Sequence, residues 1–307
     1  MITNTAAQND SWKAQLKLHF IVLIWGSTAI VGKWIGLDTA WLVWYRTMIA
    51  TLGLAFLVWF YKASFRVEAR SLVIMLLTGC VVCGHWFLFF FSAKVSNVSI
   101  CLIGLSTTTL WTALLGPLIN RTRPQWYEFL LGLLVVSGLL VIFRFESGKL
   151  IGLFLGIGSA FCGALFSLLN GVLVKRNNSY TLSFYEMLAA YVLVAVYLMA
   201  SGGLGTWQEN IPNPQEILAL LFLGGVCTVY AFAACVELYR KISVFASNLA
   251  INLEPVYGIV MAIFFFQEHQ EMSIEFYLGA SIIVLAVLAY PFLVSFEKRR
   301  LDKKANR

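Results

Sequence analysis

Glu128-Phe129-Leu130-Leu131-Gly132 is written again 147 residues later as Glu275-Phe276-Tyr277-Leu278-Gly279, with one position changed. At the same offset, Lys94-Val95-Ser96 returns as Lys241-Ile242-Ser243. A looser echo at an offset of 140 sets Leu42-Val43-Trp44-Tyr45-Arg46 against Leu182-Ser183-Phe184-Tyr185-Glu186. All three echoes lie among apolar segments long enough to cross a bilayer. A duplicated set of membrane helices implies a transporter built from two halves.

Composition narrows the classes. Of 307 residues, 60% are hydrophobic and only 12% charged, with a mean hydropathy of +0.81. Soluble domains carry about 25% charged residues. A soluble core cannot hide this much apolar surface, so membrane lipid is the solvent for most of it. The net charge of +7 does not indicate nucleic acid, because the basic residues fall in short loops and a tail. All six cysteines lie in apolar segments; Cys80 and Cys83 have redox or zinc spacing but no accompanying Cys/His pair, so they read as small apolar residues. Residues 1–12 are polar and lack a basic start and a cleavage site, so the first apolar segment reads as a retained helix.

A spanning helix needs about 20 apolar residues. Ten such segments are predicted, at 15–35, 39–60, 71–92, 96–117, 126–145, 149–172, 179–201, 216–238, 243–265 and 274–294. The gap at 202–215, with Gly202, Gly203, Pro212 and Pro214, reads as an exposed loop. Alternate faces then carry 17 and 4 basic residues, with Arg46 inside a span completing the 22. This bias places both termini in the cytoplasm. Five helices per repeat is an odd number, so the second repeat enters from the opposite face. The expected fold is therefore an all-α integral membrane protein with two inverted five-helix repeats, residues 1–147 and 148–307, and a midplane site between them.

Trp25-Gly26-Ser27, Arg46, Leu253-Glu254-Pro255 and Gln267-Glu268, set in this ten-span duplicated plan, resemble the EamA family of the drug/metabolite transporter superfamily. The resemblance covers nearly the whole chain as two repeats. It implies a ten-helix secondary transporter in a bacterial inner membrane with a small-molecule substrate and no cofactor. Many members are thought to export amino acids or related metabolites, and relatives carry nucleotide sugars or phosphorylated sugars. At the 147 offset Thr108 stands opposite Pro255 and Arg121 opposite Glu268, so the first repeat lacks the proline and the acidic residue often found there.

The polar residues inside the spans are the site candidates. Arg46 lies about seven residues into its helix, or ~10 Å, and costs about 2.5–3.5 kcal/mol near a span centre. It is either a clamp for a substrate carboxylate or a structural tie between helices. Glu186, its counterpart, either couples or snorkels toward the interface; a direct Arg46–Glu186 bridge requires both side chains to reach inward. Glu254 lies eleven residues into the ninth span, ~16 Å deep and near midplane. A carboxyl there can hold a proton, which suits proton coupling or recognition of an amine. Pro255 removes an amide donor and can bend the helix, freeing carbonyls. On a continuous helix Asn248 and Asn252 share one face and Ser247, Glu254 and Tyr257 the other, so only one set would line a narrow pocket.

Thr108, in a run of hydroxyls from Ser106 to Thr109, together with His85, Asn170 and Trp25, completes the candidates; each has a packing or helix-bonding alternative. Trp12, Trp41, Trp59, Trp126 and Trp207 suit an aromatic belt. Gly152, Gly156 and Ala160 form a stripe for close packing, and Glu237 pairs with Arg240 or Lys241 at the surface.

The leading expectation is a secondary transporter that exports a small amino acid or related metabolite by alternating access, with protons as a candidate partner. A nucleotide-sugar or phosphorylated-metabolite antiporter is the alternative, but it would prefer paired cations near midplane. An intramembrane enzyme lacks a metal cluster at ligand spacing, a nucleophile–base motif and an ATP-binding loop; a non-transporting scaffold is the remaining class. Ten spans suffice for a complete pathway in a monomer; a monomer or a homodimer is expected.

Overall fold

The computed structural model describes residues 2–145, 147–266 and 273–305. The described residues contain helices and no strand: α1 (Ile2–Gly26), α2 (Thr28–Trp34), α3 (Thr39–Phe60), α4 (Ala69–Val95), α5 (Val98–Leu105), α6 (Thr108–Asn120), α7 (Trp126–Phe145), α8 (Leu150–Leu173), α9 (Ser179–Ala200), α10 (Pro214–Leu221), α11 (Ala231–Leu238), α12 (Val244–Ile251), α13 (Glu254–Phe266) and α14 (Ile274–Ala305). Eight helices, counting broken ones as single spans, are long and apolar enough to cross a membrane among the described residues. The expected stretch Gln267-Glu268 lies outside the described residues.

Helix starts follow local chemistry. Asn97 accepts from the Ile100 amide to cap α5, and Asn178 accepts from the Tyr180 and Thr181 amides to cap α9. Asn213 and Glu216 form a capping box at the start of α10, where Pro214 needs no amide partner. The gap at 202–215 is not bare loop, since Gly203–Asn210 forms a 3-10 helix.

Several spans are broken. The first turns at Ser27, where the Ser27 and Thr28 hydroxyls donate to the Ile24 and Trp25 carbonyls, each at 2.7 Å. The fourth is broken although it has no proline at the break. There Ser106, Thr107 and Thr108 donate to the carbonyls of Ile103, Gly104 and Leu105, each three residues back, at 2.6–2.8 Å. The ninth breaks at Asn252-Leu253. In the eighth, α10 runs into a π-helix, Phe222–Tyr230, before α11. Thr228 bonds the Leu223 carbonyl five residues back at 2.8 Å, occupying an acceptor in the wider turn.

Packing depends on glycines at the crossings. A Cβ on Gly156 would lie 2.9 Å from the Cys101 carbonyl oxygen and 3.1 Å from the Gly104 Cα, so α8 and α5 meet backbone to backbone. A Cβ on Gly152 would strike Ser96, and Ser92 Oγ donates to the Gly152 carbonyl at 2.6 Å, tying α8 to α4. The small-residue stripe thus serves packing, as expected. Large apolar side chains such as Leu118, Phe264 and Phe292 are turned outward, which fits lipid rather than water as their neighbour. Trp12, Trp59, Trp126 and Trp207 are exposed as belt residues should be, whereas Trp41 is buried against Trp44 and Tyr45.

Candidate functional site

A cavity of about 70 Å³ lies where the broken helices converge. Its wall brings together six of the residues singled out from sequence: Trp25, Arg46, His85, Thr108, Asn248 and Glu254. The remainder is largely aromatic, from Trp86, Phe89, Phe166, Phe232 and Tyr239.

Arg46, on α3, is almost fully buried. Its Nε donates to Thr228 Oγ1 at 3.0 Å, so its hydrogen bond goes to a hydroxyl set by the π-helix rather than to a carboxylate. Its guanidinium carbon lies 4.1 Å from the centre of the Trp86 ring and 5.6 Å from that of Phe90. A desolvated cation–π contact of this kind contributes about 2 kcal/mol, comparable with the cost of holding the cation in the membrane. No bridge joins Arg46 to Glu186: the two have different hydrogen-bond partners.

Glu254 heads α13, and Thr28 lies in the same cavity wall. Arg46 lines the same cavity as Glu254. One wall therefore carries a cation and an acid, with aromatic rings beside them. Trp25 is held by its indole N–H, which donates to the Cys227 carbonyl at 2.9 Å. That carbonyl belongs to the π-helix too, so a single irregular turn fixes both Trp25 and Arg46. His85 Nδ1 lies 2.8 Å from the Ser159 carbonyl and 2.9 Å from its hydroxyl, which fixes the ring against α8.

The break in the ninth span overturns the two-face expectation. Projected on a continuous helix, Asn248 and Glu254 fall on rival faces; with the chain turning at Asn252-Leu253, both line the cavity while Asn252 does not. Asn248 Nδ2 also donates to Thr112 Oγ1 at 2.8 Å. Asn252 is spent on Thr109, and Tyr257 packs against Gly26, so neither lines the cavity. Glu186 does not snorkel: it is completely buried and accepts from Asn170 Nδ2 at 3.3 Å, behind the cavity rather than in its wall. Glu237 pairs with Arg240 at 3.0 Å on the surface, as expected.

Sequence reading did not identify Thr28, Thr228, Phe166, Phe232 or Tyr239 as site residues. Aromatic residues in an apolar run carry no positional signal, and nothing in Phe222–Tyr230 announces a π-helix. Among the described residues no cluster of three potential ligands could hold a metal ion.

Residues 13–144 and, again, 150–290 match the EamA-like transporter family. The chain is 25% identical over 272 residues to an uncharacterized transporter of Archaeoglobus fulgidus, covering 83% of this chain and 90% of that one. A crystal structure of another protein superimposes with a TM-score of 0.68 at 16% identity, covering 92% of this chain and 98% of that one, a likeness of fold alone. Matched along both halves, this multi-pass membrane protein belongs to the EamA-like transporter family.

Proposed function

We propose that the chain is a ten-span secondary transporter that exports a small amino acid or related metabolite by alternating access through the Arg46–Glu254 cavity. In this reading residues 1–147 and 148–307 are two inverted five-helix repeats, both termini are cytoplasmic and the membrane is a bacterial inner membrane. The observation that carries it is the pairing of Glu254 and Arg46 in one aromatic-walled cavity. A zwitterion needs an acid for its ammonium, a cation for its carboxylate and an apolar surface for its side chain. Glu254 takes the first role, Arg46 the second, and Trp25, Phe166 and Phe232 the third.

The charge distribution supports the orientation, since 17 of the 22 basic residues fall on the face assigned to the cytoplasm. A phosphorylated substrate fits less well, because a lone guanidinium facing a carboxylate cannot balance a dianion. The test is exchange of labelled amino acids, presented as a panel, by the purified protein in liposomes. Saturable exchange of at least one member supports the reading. No movement of any member by folded protein refutes it.

A further inference from the structure

A second buried carboxyl lies behind the cavity. Glu186 on α9 is 0% exposed, as are Asn170 on α8 and Ser183 one turn before Glu186. Asn170 Nδ2 donates to Glu186 Oε2 at 3.3 Å. The other ends of both groups, Glu186 Oε1 and Asn170 Oδ1, have no partner, and neither does Ser183 Oγ. A Cβ on Gly79 of α4 would lie 2.3 Å from the Glu186 carbonyl oxygen, so the helices meet without a water layer.

Among the described residues, the groups around Glu186 supply no counter-ion. Asn170 reaches it from α8, Gly79 packs on its backbone from α4 and Tyr239 stands at the end of α11. From α3, Arg46 turns to Thr228 and stacks on Trp86. The 3-10 helix packs at the other end of α9, where Gly203 meets Leu198.

An ionised carboxylate here would be buried with neither a counter-ion nor a full set of donors, which is strongly unfavourable. A proton on Oε1 removes the charge and supplies a donor for Asn170 Oδ1, completing a two-bond acid–amide ring. Exchanging the oxygen and nitrogen of Asn170 leads to the same state, because two oxygens would then face each other and need a proton between them.

We propose that the Glu186–Asn170 pair is the proton-binding site that drives transport, separate from the substrate site at Glu254. This rests on the reading of the cavity as a substrate site. Ser167 and Tyr239 both line the cavity, and Ser167 stands one helical turn before Asn170. These hydroxyls link the cavity wall to the pair. Sealed between α8, α9 and α4, the pair retains its proton. When α8 and α9 part, water reaches Oε1 and the proton leaves. A proton taken up from one face and released to the other then crosses once per cycle, opposite to the exported substrate.

Infrared spectroscopy of the full-length protein in lipid detects a protonated carboxyl directly and needs no substrate. At neutral pH an acid carbonyl band is expected in the wild type, retained in Glu254→Gln, weakened in Glu186→Gln and shifted in Asn170→Leu. The site is overturned if the wild type shows no such band, or if the band vanishes in Glu254→Gln or is undiminished in Glu186→Gln. Should Glu186→Gln fail to fold, Asn170→Leu decides, since an unshifted band refutes the pair.

The coupling role is tested in liposomes with an imposed proton gradient and the amino-acid panel. Glu186→Gln is expected to lose gradient-driven accumulation while retaining labelled-for-unlabelled exchange. Intact accumulation overturns the coupling, and loss of exchange as well in folded protein marks a structural residue and overturns it too. If the wild type moves no panel member, the transport reading fails, while the infrared result still decides whether Glu186 holds a proton.

Discussion

In the fourth span α5 gives way to α6 at Ser106-Thr107, and in the ninth α12 gives way to α13 at Asn252-Leu253. The capping residues Asn97 and Ser243 stand at the same relative position. Aligned cap to cap and break to break, the two segments are offset by 146 residues rather than the 147 of the sequence echoes. That single step sets Thr108 rather than Thr107 in register with Glu254, and Thr108 and Glu254 both line the cavity. The two breaks are built differently. The fourth uses three hydroxyls that return to their own carbonyls and present no charge. The ninth starts its second half with a carboxyl and a proline. A common backbone frame thus carries different chemistry in its two parts.

The largest expected effect tests that division. Glu254→Gln removes the acid of the charged pair and is expected to abolish amino-acid exchange in liposomes. Thr108→Val, its counterpart in the fourth span, is expected to leave exchange within about twofold of wild type, because the hydroxyl is already satisfied within its own turn. Equal losses from both variants would show that the breaks share function as well as shape.

Next in size are the contacts that hold each break in place. The fourth is clamped through Gly156, where a side chain would meet backbone atoms of Cys101 and Gly104. Gly156→Val is expected to lower stability by about 3 kcal/mol, the upper end for overpacking against atoms that cannot yield. Near the ninth break, a Cβ on Gly258 would meet the Leu102 side-chain tip at 2.3 Å and the Gly26 carbonyl at 3.0 Å. Gly258→Ala should therefore cost less, about 1–2 kcal/mol. Thermal unfolding in detergent ranks the two, and a larger loss at Gly258 would reverse the assignment of the rigid crossing.

The charged residues facing the ninth break are expected to have an intermediate effect. Arg46→Lys keeps the charge but loses the flat stacking on Trp86 and the directed Nε bond to Thr228. A stability loss of about 2 kcal/mol is expected from the same unfolding measurement. Full stability in Arg46→Lys would mean that the point charge alone suffices.

Much of the frame is legible from sequence because lipid imposes a length and a polarity that single residues report. Thr39–Phe60 and Trp126–Phe145 coincide with two expected spans; most others differ by a few residues at their ends, whereas the first helix starts well before its expected span, at Ile2, and the last runs well past its own, to Ala305. Arg46 and Glu254 stand out because charge is costly in such segments. The breaks are less legible. Pro255 marks the ninth, but the hydroxyl run in the fourth looks like ordinary helix until its back-bonds are seen. The π-helix is invisible in Phe222–Tyr230, and with it the carbonyl and hydroxyl that position Trp25 and Arg46. Helical projection across Asn252-Leu253 failed because it assumes a continuous 3.6-residue period exactly where the chain interrupts it.

The smallest expected effect concerns the bonds that join the two broken spans. Asn248 and Asn252, on the ninth, donate to Thr112 and Thr109, on the fourth. Reading forward along one partner runs backward along the other, so the segments cross antiparallel and are held across two turns. These bonds link neutral groups, and in lipid the alternative partners available to each are few but not absent. Interhelical bonds of this kind average about 0.6 kcal/mol and reach about 1.7 kcal/mol. A double-mutant cycle on Asn248→Leu and Thr112→Val, read by thermal unfolding, is expected to give a coupling near the lower figure. Because Asn248 also lines the cavity, Asn248→Leu should weaken exchange more than Thr112→Val at equal stability. Identical exchange in the two single variants would make Asn248 a tie between the breaks and nothing more, leaving Glu254 as the polar contribution of the ninth break to the cavity.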